Sequence, residues 1–199
     1  MADFEPVLLK NIGVADSERL DVYKSRGGYA AIEKTLRGST SEDVVKIVMD
    51  SKLRGRGGAG FPCGQKWSFL PPARTTTYMC VNADESEPGT FKDRYIMDKD
   101  PHMLLEGILI TCWAIGAHDA YIYIRGEYEA TRRVLQAAVD EAYAYYTCGI
   151  GACRSDSTCS AGTESCSPGS PSFATTRGQS ATTTGGSRRM RLPFVMRRP

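Results

Sequence analysis

Residues 53–69 read L-R-G-R-G-G-A-G-F-P-C-G-Q-K-W-S-F, and the interpretation of the whole chain begins from this stretch. It holds five glycines among cationic and aromatic residues: Gly55, Gly57, Gly58, Gly60 and Gly64, with Arg54, Arg56, Phe61, Lys66, Trp67 and Phe69. Glycine adopts positive φ without a Cβ clash and lets backbone amides approach a ligand closely. Amides beside cations favour phosphate oxygens. The stretch therefore predicts a phosphate-binding loop; for the glycines taken alone, a flexible connector is the alternative.

Three of these glycines, Gly55, Gly57 and Gly60, formally satisfy the dinucleotide-binding pattern G-x-G-x-x-G. That fingerprint requires a strand before the glycines and a helix after them. Here a predicted helix precedes them. The glycines are therefore not interpreted as the fingerprint of a standard Rossmann fold.

A second polar cluster follows a short apolar segment. Tyr78–Asn82 is predicted to be a buried strand, and the side chains of Asn82, Asp84, Glu85 and Glu87 come at its end. In α/β folds, ligands bind at the carboxyl ends of the strands. From the residues alone, these oxygens indicate either a ligand-binding edge or a divalent metal site.

The two stretches together resemble the flavin-binding, NADH-oxidising subunit of respiratory complex I, NADH-quinone oxidoreductase. The family's G-R-G-G-A-G-F-P-x-G-x-K-W corresponds to Gly55–Trp67, with Cys63 where the family has a small hydroxyl residue. Its N-A-D-E-x-E-P-G-T-x-K-D-R corresponds to Asn82–Arg94. The resemblance runs from about Ser25 to about Tyr145, which is the N-terminal part of the family only.

The resemblance implies FMN and NADH as cofactors, with hydride passing from NADH to FMN and electrons going on to iron–sulfur clusters and quinone. For FMN it implies Gly55, Arg56, Gly57, Gly58, Lys66, Asn82, Asp84 and Glu85, with Glu85 supporting Asn82 and Asp84. For NADH it implies Phe61 and Phe69 on the adenine and Glu87 near the nicotinamide end. It implies no catalytic residue, because hydride passes between cofactors, and no metal ligand. On the residues alone, Lys66 could be a solvated lysine and the phenylalanines could be core residues; Trp67 is assigned to packing.

The order of predicted elements gives an α/β fold with an incomplete Rossmann-like parallel sheet and flanking helices. Residues 1–24 are expected to be an arm lying on another part of the structure. The predicted strands are Tyr78–Asn82 and Ala120–Arg125. The predicted helices are Gly28–Arg37, a helix that is capped by Thr40 and Asp43 and buries Val44, Val45, Ile47 and Val48, a helix from Asp100 to Gly116, and Glu127–Tyr145. In the last helix, Thr131, Val134, Leu135, Ala138, Val139 and Ala142 are expected inside. Only two strands are evident, so the sheet looks unfinished.

Composition divides the chain into three regions. Residues 1–52 form the arm and helices, residues 53–146 a partial FMN- and NADH-binding α/β domain, and residues 147–199 a low-complexity tail. The tail holds seven Arg and no Lys. Such a change is typical of a disordered extension or of translation in a shifted reading frame, and the tail is predicted to be one of these.

Cysteine usage gives no metal site or disulfide framework. Cys80 and Cys112 lie in apolar elements and are expected to be buried thiols. The tail cysteines Cys148, Cys153, Cys159 and Cys166 are spaced C-x4-C-x5-C-x6-C, which matches neither a zinc ribbon nor a ferredoxin loop. The ligands of the family's 4Fe-4S cluster are therefore expected to be missing from this chain. His102 and His118 have no partner motif and are expected at a helix start and in a loop.

The resemblance implies other peripheral-arm subunits of complex I as partners, above all its thioredoxin-like 2Fe-2S subunit. The N-terminus has no signal peptide pattern, and the longest apolar run, Met103–Ile115, contains Glu106 and Gly107. A cytoplasmic location at the inner face of the membrane, reached through the complex, is the expectation, and the fragment alone is expected to be poorly active.

Two alternatives remain open. One is a diaphorase subunit of an NAD-linked hydrogenase or formate dehydrogenase. The other is a non-catalytic fragment whose basic tail binds nucleic acid; no nucleic acid is expected, because the tail's aromatic residues are only Phe173 and Phe194.

Overall fold

The structure is a computed structural model that describes residues 6–71, 76–149 and 188–193. In chain order its elements are α1 (Leu20–Ser25), α2 (Ala30–Gly38), α3 (Ser41–Asp50), α4 (Cys63–Ser68), β1 (Tyr78–Ala83), α5 (Lys92–Lys99), α6 (Pro101–Ile115), β2 (Asp119–Ile124), α7 (Glu129–Gly149) and β3 (Arg188–Pro193). The predicted α/β class is confirmed. The short helices α4 and α5 were not predicted, because six and eight residues give too little hydrophobic periodicity to recognise.

The sheet contains the two predicted strands side by side. β1 and β2 pair in parallel, from Tyr78 opposite Asp119 to Ala83 opposite Ile124. A third strand, β3, pairs antiparallel with the other edge of β2. β3 belongs to the tail that was predicted to be disordered or frameshifted, and α7 continues to Gly149. The rest of the tail, residues 150–187 and 194–199, lies outside the described residues, and so do the side chains of Cys148, Cys153, Cys159 and Cys166.

The core lies between one face of the sheet and helices α6 and α7. Alternate β2 residues Ala120, Ile122 and Ile124 are fully buried, as the period of two in a strand requires. Helix α6 is buried on several sides, with nine buried residues along it. The predicted inner face of α7 is confirmed for Thr131, Leu135, Ala138, Val139 and Ala142, which are all buried, whereas Val134 is half-buried.

Helix α3 begins as predicted, with a capping box between Thr40 and Asp43. The buried face of α3 is narrower than predicted, and its main contacts in the described part of the chain are with α4 and α6. Val44 is buried, but Ile47 is 60% exposed, so the prediction of a buried Ile47 is wrong. The end of α6 is as predicted, since Gly116 has φ 63°, the left-handed conformation that favours glycine.

The N-terminal arm lies on the junction between α5 and α6. Asn11 and Ser17 are both 2% exposed. The Asn11 amide donates to Asp100 at 2.6 Å, and the Ser17 hydroxyl donates to the Lys99 carbonyl. The expected arm therefore has its contacts within this chain.

A buried polar network fastens α1 and α2 to α6. The Glu106 carboxylate accepts hydrogen bonds from the Tyr23 hydroxyl at 2.5 Å and from the backbone N–H groups of Tyr29 and Ile32 at 2.9 and 3.0 Å. His102 is not merely a helix-start residue, because it is fully buried between Tyr29 and Glu141. Burial lowers its pKa, so the ring is neutral at pH 7. Its Nδ1 therefore accepts from the Tyr29 hydroxyl while Nε2–H donates to Glu141.

Within the described part of the chain, no helix combines the length and the apolar character needed to cross a membrane.

Candidate functional site

The glycine-rich stretch forms a closed loop between α3 and α4. The Gly55 N–H donates to the Phe61 carbonyl at 2.9 Å, and the Cys63 N–H donates to the Leu53 carbonyl at 2.8 Å. An isolated antiparallel bridge joins Arg54 and Pro62 between them. These bonds form a short stem, so the loop has a defined geometry and is not an open connector.

The tip of the loop combines positive backbone angles with free amides. Gly58 has φ 119° and Gly60 has φ 61°, and the Arg54 guanidinium donates to the Gly60 carbonyl across the loop at 2.5 Å. A Cβ placed on Gly57 would meet nothing within 4 Å. None of the described residues accepts a hydrogen bond from the N–H groups of Arg56, Gly57 or Gly58. The tip is therefore an open surface with unused donors, as an anionic cofactor requires.

Helix α4 directly follows this loop and carries Lys66. Gly64 allows α4 to pack closely against α3, because a Cβ at Gly64 would lie 2.5 Å from the backbone nitrogen of Met49 in α3. Trp67 packs against the core, as predicted. Lys66 and Arg56 are exposed, and neither forms an ion pair with any residue that the structure describes. Both cations are therefore accessible to an anionic ligand.

Phe61 and Phe69, which flank α4, form an exposed aromatic pair. Their ring centroids are 5.9 Å apart with an interplanar angle of 59°. Phe61 is 43% and Phe69 64% exposed, so neither is a core residue. Contiguous exposed apolar surface is typical of ligand-binding and partner surfaces. The alternative that these two rings serve the core is therefore wrong.

The acidic turn after β1 is organised by its own side chains. The Asn82 amide oxygen accepts from the Asp84 N–H at 3.0 Å, and the Ser86 hydroxyl donates to Asp84 at 3.0 Å. A tight turn follows, in which Thr90 N–H donates to the Glu87 carbonyl and Gly89 has φ 77°. Asn82 and Glu87 are exposed. The turn therefore presents them at the carboxyl end of β1.

Glu85 differs from its neighbours because it points inward. It is 2% exposed. Its carboxylate oxygens accept from the backbone N–H groups of Asp93 at 3.0 Å and Arg94 at 3.2 Å, at the start of α5. In the described part of the chain, no group of three or more His, Cys, Asp or Glu side chains is arranged to hold a metal ion.

Two residues at the carboxyl end of β2 were missed by the sequence analysis. Arg125 Nη1 donates to the Glu85 carbonyl at 3.3 Å, and the Tyr128 hydroxyl donates to the same carbonyl at 3.0 Å. The sequence did contain an indication of this, because neighbouring parallel strands bring their carboxyl ends to one edge of the sheet and Arg125 directly follows β2. The acidic turn is therefore joined to the start of α7.

Other predictions about side chains are corrected by the structure. Cys112 is buried as predicted, but Cys80 is exposed, because it lies on the uncovered face of β1. Four charged residues at or near α5 lie close together in the sequence: Asp93, Arg94, Asp98 and Lys99. Of these, Asp93 pairs with Lys92 at 2.6 Å, whereas Arg94 lies over the Tyr128 ring, 5.4 Å from its centroid.

Comparison with known proteins matches the sequence to a family of FMN-binding domains. Residues 48–166 match the sequence model of the family described as Nuo51 FMN-binding domain. The chain is 53% identical over 149 residues to one of the NADH-quinone oxidoreductase F subunits of Rhizobium meliloti, covering 74% of this chain and 35% of that protein. It is 52% identical over 136 residues to the NADH-quinone oxidoreductase F subunit of Aquifex aeolicus, covering 68% of this chain and 32% of that protein. It thus spans about a third of the length of these curated relatives.

Among solved structures, the chain is similar to an NAD+-reducing NiFe hydrogenase in its H2-reduced state, with a TM-score of 0.57 and 35% sequence identity. The likeness covers 71% of this chain and 23% of the hydrogenase chain. The air-oxidized state of such a hydrogenase gives a TM-score of 0.54 and 34% identity.

Proposed function

Since this chain belongs to the Nuo51 FMN-binding domain family, we propose that it forms part of an FMN and NADH site in the NADH-oxidising subunit of an NADH-quinone oxidoreductase. The observation that carries the proposal is the tip of the glycine loop. Its N–H groups and the cations of Arg56 and Lys66, which have no partner among the described residues, match the phosphate of a flavin mononucleotide, and a Cβ on Gly57 would meet open space.

The acidic turn supplies the polar contacts to the flavin in this proposal. Asn82 is exposed, its carbonyl oxygen accepts from the Asp84 N–H, and its amide N–H groups donate to none of the residues that the structure describes. Asp84 retains acceptor capacity beside the bond from Ser86. Donor and acceptor groups side by side at the end of β1 suit the alternating polar edge of a flavin ring.

The exposed pair Phe61 and Phe69 covers the adenine of NADH, because a flat apolar ring matches a purine face. Glu87 accepts hydrogen bonds from ribose hydroxyls near the nicotinamide end. These residues bind and orient; no side chain has to accept or donate a proton in the transfer itself. When bound, FMN supplies hydride acceptance and the release of single electrons.

Several further properties belong to the whole subunit and extend the proposal. Electrons pass on to iron–sulfur clusters and quinone, the partners are other peripheral-arm subunits, including the thioredoxin-like 2Fe-2S subunit, and the complex lies at the inner face of the membrane. In this proposal, the cysteine spacing of the tail does not supply the ligands of the family's 4Fe-4S cluster. Because the chain spans about a third of its curated relatives, it binds FMN weakly and oxidises NADH poorly on its own.

A diaphorase subunit of an NAD-linked hydrogenase is the second candidate, and the structural likeness to the NAD+-reducing hydrogenase favours it. The identity to that chain is 35%, against 53% to the Rhizobium meliloti relative. The higher identity supports the complex I assignment.

Gly57→Ala tests the proposed site without disturbing the fold. Its Cβ meets no protein atom within 4 Å and its φ is not positive, so thermal unfolding should not change. A methyl group in the cradle should weaken FMN binding at least about tenfold, or about 1.4 kcal/mol, measured by quenching of flavin fluorescence.

Gly13→Ala is the matched control, because its Cβ also meets nothing within 4 Å but it lies in the N-terminal arm. It should bind FMN like the wild type. A wild-type chain with no saturable FMN binding, or a Gly57→Ala chain with wild-type affinity, would contradict the proposal.

A further inference from the structure

Both the side chain and the backbone carbonyl of Glu85 accept hydrogen bonds within the protein. The carboxylate accepts the N–H groups of Asp93 and Arg94, and Lys92 Nζ lies 3.7 Å from one of its oxygens. Its side chain is 1% exposed. A carboxylate that accepts the first N–H groups of a helix satisfies donors that have no partner within the helix. Glu85 therefore fixes the start of α5.

The backbone carbonyl of Glu85 is held from the opposite side. The Tyr128 hydroxyl and Arg125 Nη1 donate to it at 3.0 and 3.3 Å. Arg125 is itself oriented by Glu127, whose carboxylate lies 3.0 Å from its Nε. The acidic turn is thus joined to α5 through the Glu85 side chain and to the start of α7 through its carbonyl.

We infer that Glu85 is a positioning residue of the proposed FMN site and not a ligand of the flavin. Both of its oxygens are used inside the protein, whereas the exposed Asn82 precedes it on the same turn. Asp84 is its direct neighbour, so the position of the Glu85 backbone sets the position of the Asp84 carboxylate. This inference rests on the proposed function and assigns to α5 and α7 the task of holding the turn.

The test compares two changes that reach Glu85 from different sides. Glu85→Gln leaves one acceptor oxygen for the two N–H groups of α5, and Tyr128→Phe removes one donor to the carbonyl. In the full 199-residue chain, Glu85→Gln should weaken FMN binding about tenfold, because hydrogen bonds to charged groups are lost. Tyr128→Phe should weaken it about threefold to tenfold.

Two readouts separate positioning from direct contact. The visible absorption spectrum of bound flavin should stay that of the wild type in both variants, because neither group touches the ring. In an Asp84→Asn background, Glu85→Gln should add less than about twofold to the loss, since the two residues act as a unit. Asp140→Asn, an exposed carboxylate on α7, is the charge-removal control and should bind FMN like the wild type.

Wild-type affinity in Tyr128→Phe together with a changed flavin spectrum in Glu85→Gln would overturn the inference, because Glu85 would then contact the flavin. Full additivity with Asp84→Asn would overturn it as well. A wild-type chain that binds no FMN would instead refute the proposed function on which the inference rests.

Discussion

Removal of the Phe69 ring should weaken binding of NADH by this chain and leave its fold intact. Phe69 is 64% exposed, so most of its ring contributes nothing to the core. Its pairing with Phe61 at 5.9 Å contributes about 0.5–1.5 kcal/mol to the free energy of unfolding. Stacking of a base on an aromatic side chain contributes about 1–3 kcal/mol. Phe69→Ala should therefore raise the dissociation constant for NADH roughly 5- to 150-fold.

The assay is isothermal titration of the chain with NADH and with reduced nicotinamide mononucleotide, which lacks the adenine. Only NADH should bind more weakly to Phe69→Ala. Phe91→Ala is the matched control, because Phe91 is 52% exposed and pairs with Tyr95 at 5.5 Å but lies after the acidic turn. Equal losses for both ligands, or a loss of NADH affinity in Phe91→Ala and not in Phe69→Ala, would refute the assignment of the adenine to this pair.

Three further predictions concern other parts of the chain. In a complete homologous subunit, Glu87→Gln should raise the Michaelis constant for NADH roughly 10- to 100-fold with turnover and FMN content little changed, since about 1.5–3 kcal/mol of ribose contact is lost; loss of flavin with unchanged NADH affinity would show that the acidic roles are reversed. Glu106→Gln should lower the free energy of unfolding by about 3–5 kcal/mol, measured by urea denaturation. The reason is that an amide NH2 replaces one acceptor oxygen in a buried site that receives three donors. A loss below about 1 kcal/mol would contradict the importance of this network for stability. Burial raises the pKa of Cys112 to about 11, so its reactive thiolate is scarce at about pH 8. After treatment with iodoacetamide, mass spectrometry should find Cys112 unmodified and the exposed Cys80 alkylated. Equal modification of both cysteines in the folded chain would contradict the burial of Cys112.

The sequence was sufficient for the elements whose patterns are local. The capping box of Thr40 and Asp43, the start of α6 at Pro101 and its end at Gly116 follow from residues within one turn of the boundary, and all three are confirmed. The inner face of α7 follows from its periodicity.

The remaining features depend on which surfaces meet. Ile47 is exposed because nothing in the described part of the chain covers its side of α3, and Cys80 is exposed because the outer face of β1 is open there. The buried hydrogen bonds of His102 and Glu106 depend on the packing of α1 and α2 against α6. No pattern in the sequence marks these contacts, because the partners lie far apart along the chain.

The candidate site also has a part that the sequence predicts and a part that it does not. The motif with Gly57 and Asn82 could be found from the sequence, whereas the inward direction of Glu85 and its bonds from Arg125 and Tyr128 could not. An acidic run gives the same composition whether a carboxylate faces a ligand or the start of a helix. The structure decides between these roles through burial.

The most direct test of the proposed site is an NMR titration of the isotopically labelled chain with FMN, following backbone amide shifts. We expect weak, saturable shifts in two groups of amides, at Gly55–Gly58 in the loop and at Asn82–Asp84 at the carboxyl end of β1. Shifts centred on the opposite, amino ends of the strands at Tyr78 and Asp119, or no shift at a large excess of FMN, would contradict it.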